Sequence, residues 1–174
     1  MLLGVFKRKG VVAHSVMGTR NLICVYYKGR FVIAQYCQWD GYPEGQGQGI
    51  LMFLLESGNI ERLKEGLQYL TTLTQEGMEE LENAIQHDLE SQPNYSTGVG
   101  EKLISLWPSL SRDTGAKILE IVAQATAEKR VPIVRYLGFA NDGMSCEWAY
   151  IVDLDQNTLQ VMNTSSRPSP QGLV

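Results

Sequence analysis

"LICVYYKGRFVIAQYCQW", Leu22–Trp39, decides the fold. Two runs rich in β-branched and aromatic residues flank a short Lys28-Gly29-Arg30 turn, the pattern of a β-hairpin. On the second run Phe31, Ile33, Gln35, Cys37 and Trp39 share one face, and Val32, Ala34, Tyr36 and Gln38 the other. Both faces begin apolar and turn polar. The strand is therefore expected to start in the core and to emerge into a pocket at its end.

A matching pattern closes the chain. "CEWAYIVDL", "DQN" and "TLQVMN" read as a second hairpin, with Cys146, Trp148, Tyr150, Val152 and Leu154 on one face. The middle is helical. A run follows Gly49 and ends at Gly58. Asn59 is expected to cap "IERLKEGLQYL", and Thr74 to cap a helix carrying Met78, Leu81, Ile85 and Leu89. Gln92–Gly100 reads as a loop and "EKLISLW" as a short helix before Pro108. Asp113 is expected to cap the long helix "TGAKILEIVAQATAEK". Strands, then helices, then strands indicate α+β: an antiparallel sheet from the two hairpins, with the central helical insert packed on it. The domain reading is an extension over 1–16, one α+β domain over 17–163 and a disordered tail over 164–174.

The 174 residues suit a single domain that buries roughly 70% of its unfolded surface. Apolar residues are 44% and charged residues 20%, as in an ordinary globular protein. A net charge of −4 disfavours general nucleic-acid binding. Three scattered cysteines and two histidines form no metal pattern, and no cofactor is implied. No apolar run reaches the ~20 residues of a membrane span. In "MLLGVFKRKGVVAHSV" the charges follow the apolar patch, the reverse of a secretory signal. The expected location is cytoplasmic.

The first hairpin runs into "QWDGYPEGQGQG", Gln38–Gly49. Asp40-Gly41 is a turn pair, and Gly45, Gly47 and Gly49 lead into a helix. Backbone N–H groups at a helix start suit a phosphate or carboxylate. Trp39 and Tyr42 can stack on a planar ring, and Asp40 and Glu44 can accept hydrogen bonds from it. Arg20 is a candidate partner for an anion, and Gln38 and Glu147 border the same region. The loop fits neither common phosphate-binding motif and lacks the phosphate-loop lysine. Its density of Trp, Tyr, Asp and Glu is nevertheless more than a turn needs. Cys37 has no basic neighbour in sequence to activate it.

The stretch "MGTRNLICVYYKGRFVIAQYCQWDGYPEGQG", Met17–Gly47, resembles a family of uncharacterised fungal and bacterial proteins. More distant phage proteins have "YCHWDGYP" at the same strand end, where this chain carries Gln38. "RDTGAKILEIV" and "CEWAYIVDLDQNTLQV" extend the resemblance to about Met162. It implies a fold but no activity. Relatives begin at the position of Met17, which sets residues 1–16 apart.

Three function classes follow. The favoured one is a small-molecule module binding a nucleotide-like or anionic ligand at the WDGYPEGQG loop, through Arg20, Gln38, Trp39, Asp40, Tyr42, Glu44, Gly45, Gly47 and Glu147. The second is a protein-interaction or self-association domain using Trp39 and Tyr42. The third, less favoured, is a hydrolase with Asp40, Glu44 or Glu147 as base. A variant of the third takes Thr19 as an N-terminal nucleophile, since "GTRNLICV" resembles the Gly-Thr cleavage point of that superfamily.

Overall fold

The computed structural model describes residues 18–92, 97–142 and 145–164. The expected extension, most of the tail and part of the Gln92–Gly100 loop lie outside those residues. Thr164, assigned to the tail, is buried and donates its backbone N–H to the Glu147 carbonyl at 2.9 Å.

The first hairpin forms as read. Strands β1 (Asn21–Tyr27) and β2 (Arg30–Cys37) pair antiparallel. Lys28 and Gly29 both have positive φ, 52° and 74°, as a two-residue hairpin turn requires. The second hairpin is β5 (Trp148–Asp153) with β6 (Thr158–Asn163). The hairpins meet in one sheet of order β2-β1-β5-β6. The expected all-antiparallel sheet is corrected here: β1 and β5 run parallel, Asn21 opposite Trp148 through Tyr26 opposite Asp153. The helical insert returns the chain to the starting end of β1, so the inner pair must run the same way.

Helices cover one face. They are α1 (Gln48–Leu55), α2 (Asn59–Gly66) and α5 (Lys117–Ala123). Ile50, Phe53, Leu63, Ile118, Leu119 and Val122 pack on Ile23, Val25, Ile33, Tyr150 and Val152 of the sheet. Beyond the edge strand β2 lie α3 (Gln75–Glu90) and α4 (Val99–Leu106), with a separate core of Met78, Ile85, Leu89, Leu103, Leu110 and Val134. Thr74 caps α3 as expected, its hydroxyl accepting from Gly77 N–H at 3.0 Å.

Four local expectations change. Asn59 is the first residue of α2, not its cap; its buried amide donates to the Phe53 carbonyl at 2.9 Å and so closes α1. Asp113 caps nothing: the chain turns through Ser111–Thr114 and Gly115 (φ 53°), and α5 begins only at Lys117. Leu70, read as the end of a helix, instead opens a short strand, β3 (Leu70–Thr72), parallel to β4 (Val131–Ile133). Cys146 precedes β5 and packs with Leu22, Cys24, Ala34 and Ala149 on the face away from the helices, rather than with Tyr150.

Asp155 ties the two hairpin turns together. Its carboxylate accepts from Lys28 N–H at 2.9 Å and Gly29 N–H at 3.0 Å. The Gly29 amide, then the Lys28 amide, hold its pKa below the usual value. A lowered folded pKa adds stability above the unfolded value of about 3.9, and that stability fades as pH falls through the folded value. Asp155→Asn should therefore flatten the acid limb of the stability curve below about pH 4. Urea midpoints of both proteins from pH 2 to 7 test this; parallel acid limbs would refute it.

Candidate functional site

The WDGYP turn is built from both sides. Asp40 sits in the left-handed region (φ 54°), which Asp tolerates better than most residues. Gly41 follows; its N–H donates to the Thr19 carbonyl at 3.0 Å, and its carbonyl accepts from the Tyr150 hydroxyl at 2.7 Å. Tyr150 is fully buried at the sheet centre. Burial, then the charge of Glu44, raises its phenol pKa well above the ordinary value. The hydroxyl is thus a fixed donor. Gln46 completes the frame: its Nε2 donates to the Trp39 carbonyl at 3.3 Å and its Oε1 accepts from Ala116 N–H at 2.7 Å.

The glycine loop does not offer the amide cradle expected of it. Pro43–Gly47 already forms a π-helical turn continuous with α1. Gly45 N–H donates to Tyr42 O at 2.9 Å, Gln46 N–H to Asp40 O at 2.9 Å, and Gly47 N–H to Tyr42 O at 3.4 Å. Gly47 also lies against the Tyr150 ring, where a Cβ would come within 3.0 Å. Gly45 and Gly47 serve the turn itself.

The other candidate residues divide into groups. Trp39 is 43% exposed; its indole N–H donates to Asp113 at 2.9 Å. Tyr42, Asp40 and Glu44 are exposed. Arg20 and Glu147 meet through their backbones, Glu147 N–H donating to Arg20 O at 3.0 Å, and the Glu147 carboxylate accepts from Arg20 N–H at 3.4 Å. That pairing extends the β1–β5 ladder and occupies the carboxylate. Thr19 is buried, with its carbonyl on Gly41. Gln38 faces the other way: its Oε1 accepts from the Tyr36 hydroxyl and its N–H donates to Arg112 O at 3.0 Å.

Arg112, whose carbonyl holds the Gln38 N–H, lines a cleft of about 550 Å³, within the range of small-molecule sites. It lies between the outer edge of β2, α3, α4 and residues 110–112. Its polar lining is Gln35, Tyr36, Glu82, Asn83, Gln86, Ser111, Arg112 and Tyr136; Met78, Val99, Leu103 and Leu110 supply apolar wall. Of these residues, sequence reading singled out none as a site. Gln35 was the available signal, the polar residue on the Phe31-Ile33-Cys37 face. The rest come from elements joined only by the fold.

Gln35 is 2% exposed. Its side-chain nitrogen donates to Ser111 O at 3.1 Å and lies 3.4 Å from Tyr36 O. Both partners can only accept, which fixes the amide orientation. Oε1 meets no donor among the described residues, and Gln35 is one of the residues that line the cleft.

Thiol chemistry is unfavoured. Burial raises the Cys37 pKa, and burial, then Cys146, pushes the Cys24 thiol up to about 12. Among the described residues no group of His, Cys, Asp or Glu is placed to hold a metal, and no helix is long and apolar enough to cross a membrane. Comparison with protein-family models, curated proteins and solved structures finds no match.

Proposed function

We propose that the chain is a small-molecule-binding module, and that its ligand sits in the cleft beside the end of β2. The WDGYP turn frames the site rather than receiving the ligand: Gln38 to Arg112 and Trp39 to Asp113 fix the segment that forms one wall. The observation that carries this reading is Gln35. Its amide nitrogen is held by Ser111, and its Oε1, which has no protein donor among the described residues, stays accessible to the space that Gln35 lines. A ligand donor would pair with it.

A second reading has one observation in its favour. Trp39, Tyr42, Leu51, Met52 and Leu55 are all exposed, and Leu55 is 75% exposed. These side chains lie along the turn and α1, which suits an interaction surface.

One titration separates the two. A soluble fragment mixture added to labelled protein should move the Gln35 side-chain NH₂ resonance and leave the Trp39 indole resonance in place. Gln35→Leu should keep the fold, judged by its melting temperature, and abolish saturable shifts among the cleft residues. Unchanged shifts in Gln35→Leu would sink the cleft reading. Movement confined to the Trp39 indole would favour the interface.

A further inference from the structure

The cleft has a backbone edge as well as side chains. Ala34 O accepts from Tyr136 N–H at 2.9 Å, and Gln38 N–H donates to Arg112 O at 3.0 Å. Both contacts lie on the outer edge of β2. Peptide groups alternate along a strand, so those of Tyr36 point the same way. Tyr36 lines the cleft between two closed positions, and since its carbonyl takes the 3.4 Å contact from the Gln35 amide, its N–H is the open backbone group. A ligand carbonyl could pair with that N–H, as one does when a peptide meets a sheet edge.

The cleft lining carries both signs of charge, Arg112 and Glu82. Arg112 has no carboxylate within ion-pair distance among the described residues, and its neighbour Asp113 is engaged by Trp39. The positive charge acts at Tyr36: burial raises that phenol, while Arg20 and then Arg112 pull it down. Glu82 of α3 acts at Tyr136, whose phenol is raised by burial and then by Glu82. The two rings pack edge to face, 6.1 Å between centres, and form one continuous aromatic wall. The cleft volume of about 550 Å³ falls in the range that holds a drug-sized ligand, which a di- or tripeptide is. Met78, Leu103 and Leu110 form an apolar wall.

A ligand matched to this cleft has an anionic end, a cationic end, an N–H for Gln35 Oε1, a carbonyl for the Tyr36 N–H and apolar side groups. We infer that the cleft binds a di- or tripeptide with apolar side chains, its carboxylate toward Arg112 and its ammonium toward Glu82. This rests on the cleft reading above and names the ligand class.

The test is calorimetric titration of the full chain with leucyl-leucine and trileucine, each also as the C-terminal amide and as the N-acetyl derivative. At least one free peptide should bind saturably, and each blocked form should bind tenfold or more weakly, a difference of about 1.4 kcal/mol. Arg112→Ala should weaken the free peptide and remove its preference over the amide. Glu82→Gln should remove its preference over the acetylated form. Both residues are exposed, so both variants should melt with the wild type. Equal binding of amide and free acid, or full affinity in Arg112→Ala, would overturn the inference. Full affinity of the acetylated form would overturn its free amino end and point to the C-terminal tail of a protein. If no peptide binds while fragments still shift Gln35, the peptide class is wrong and the cleft reading stands. If neither binds, both fall.

Discussion

Gly66→Ala is expected to melt roughly 10 °C below the wild type. Helix propensity alone predicts the opposite, a gain of up to about 1 kcal/mol from replacing glycine in a helix. Packing decides the sign. A Cβ on Gly66 would lie 1.7 Å from the Val122 carbonyl oxygen and 2.7 Å from its carbon. Both are backbone atoms, so no side chain can swing aside. α2 and α5 must separate where Leu63, Leu119 and Val122 share the core. Overpacking of this kind costs about 3 kcal/mol, well above the propensity gain. Gly100→Ala is the control: it too is a helical glycine, but nothing lies within 4 Å of its Cβ position. It should hold or raise the melting temperature. Thermal unfolding followed by circular dichroism reads both variants, and a Gly66→Ala protein as stable as the wild type would disprove the close α2–α5 crossing.

Gly41→Ala is expected to cost about 2–3 kcal/mol and to release the Trp39 ring. The backbone there is not in the left-handed region, so the argument is one of space alone. A Cβ would sit 2.5 Å from the Thr19 carbonyl oxygen and 3.0 Å from the Asn21 side chain. The turn would have to lift, straining the Gly41–Thr19 bond at 3.0 Å and the Tyr150–Gly41 bond at 2.7 Å. With the turn displaced, the indole N–H of Trp39 should part from Asp113 and its resonance should move toward that of a free side chain. Urea unfolding together with the indole spectrum tests both halves. A variant with normal stability and an unmoved Trp39 signal would show that the turn does not depend on this contact.

Both hairpins were legible in the sequence because alternation with period two and a short turn, Lys28-Gly29 in the first and Asp155–Asn157 in the second, specify them locally. Thr74 was legible as a cap for the same reason: its hydroxyl needs only the residues that follow it. Strand direction at the β1–β5 junction was not legible, since alternation carries no information about the partner. The start of α5 was missed because Gly115 and the Ser111 turn hold the backbone out of the helix despite an apolar stripe. β3 and β4, three residues each, are too short to show a period. The crowding of Trp39, Asp40, Tyr42 and Glu44 drew attention to a segment whose Gly45 and Gly47 amides are bonded within the turn, while those four side chains stay exposed. The cleft could not be assembled from the sequence, because Gln35, Glu82, Arg112 and Tyr136 lie on four separate segments.

The parallel pairing of β1 with β5 also governs how the chain is made. The residues that open this pairing, Arg20 and Glu147, are 127 positions apart. At translation speeds of about 5–20 residues per second, β1 waits roughly 6–25 s for its inner partner to be synthesised. During that interval the first hairpin has formed, yet the inner edge of β1 is unpaired and its apolar faces await the later helices. An open edge of this kind invites pairing with another nascent chain. Closing so long a loop is also intrinsically slow. The central strand of the finished sheet is thus among the first segments synthesised and among the last to be enclosed, and the nascent chain has to be kept from its neighbours until residue 153 has emerged.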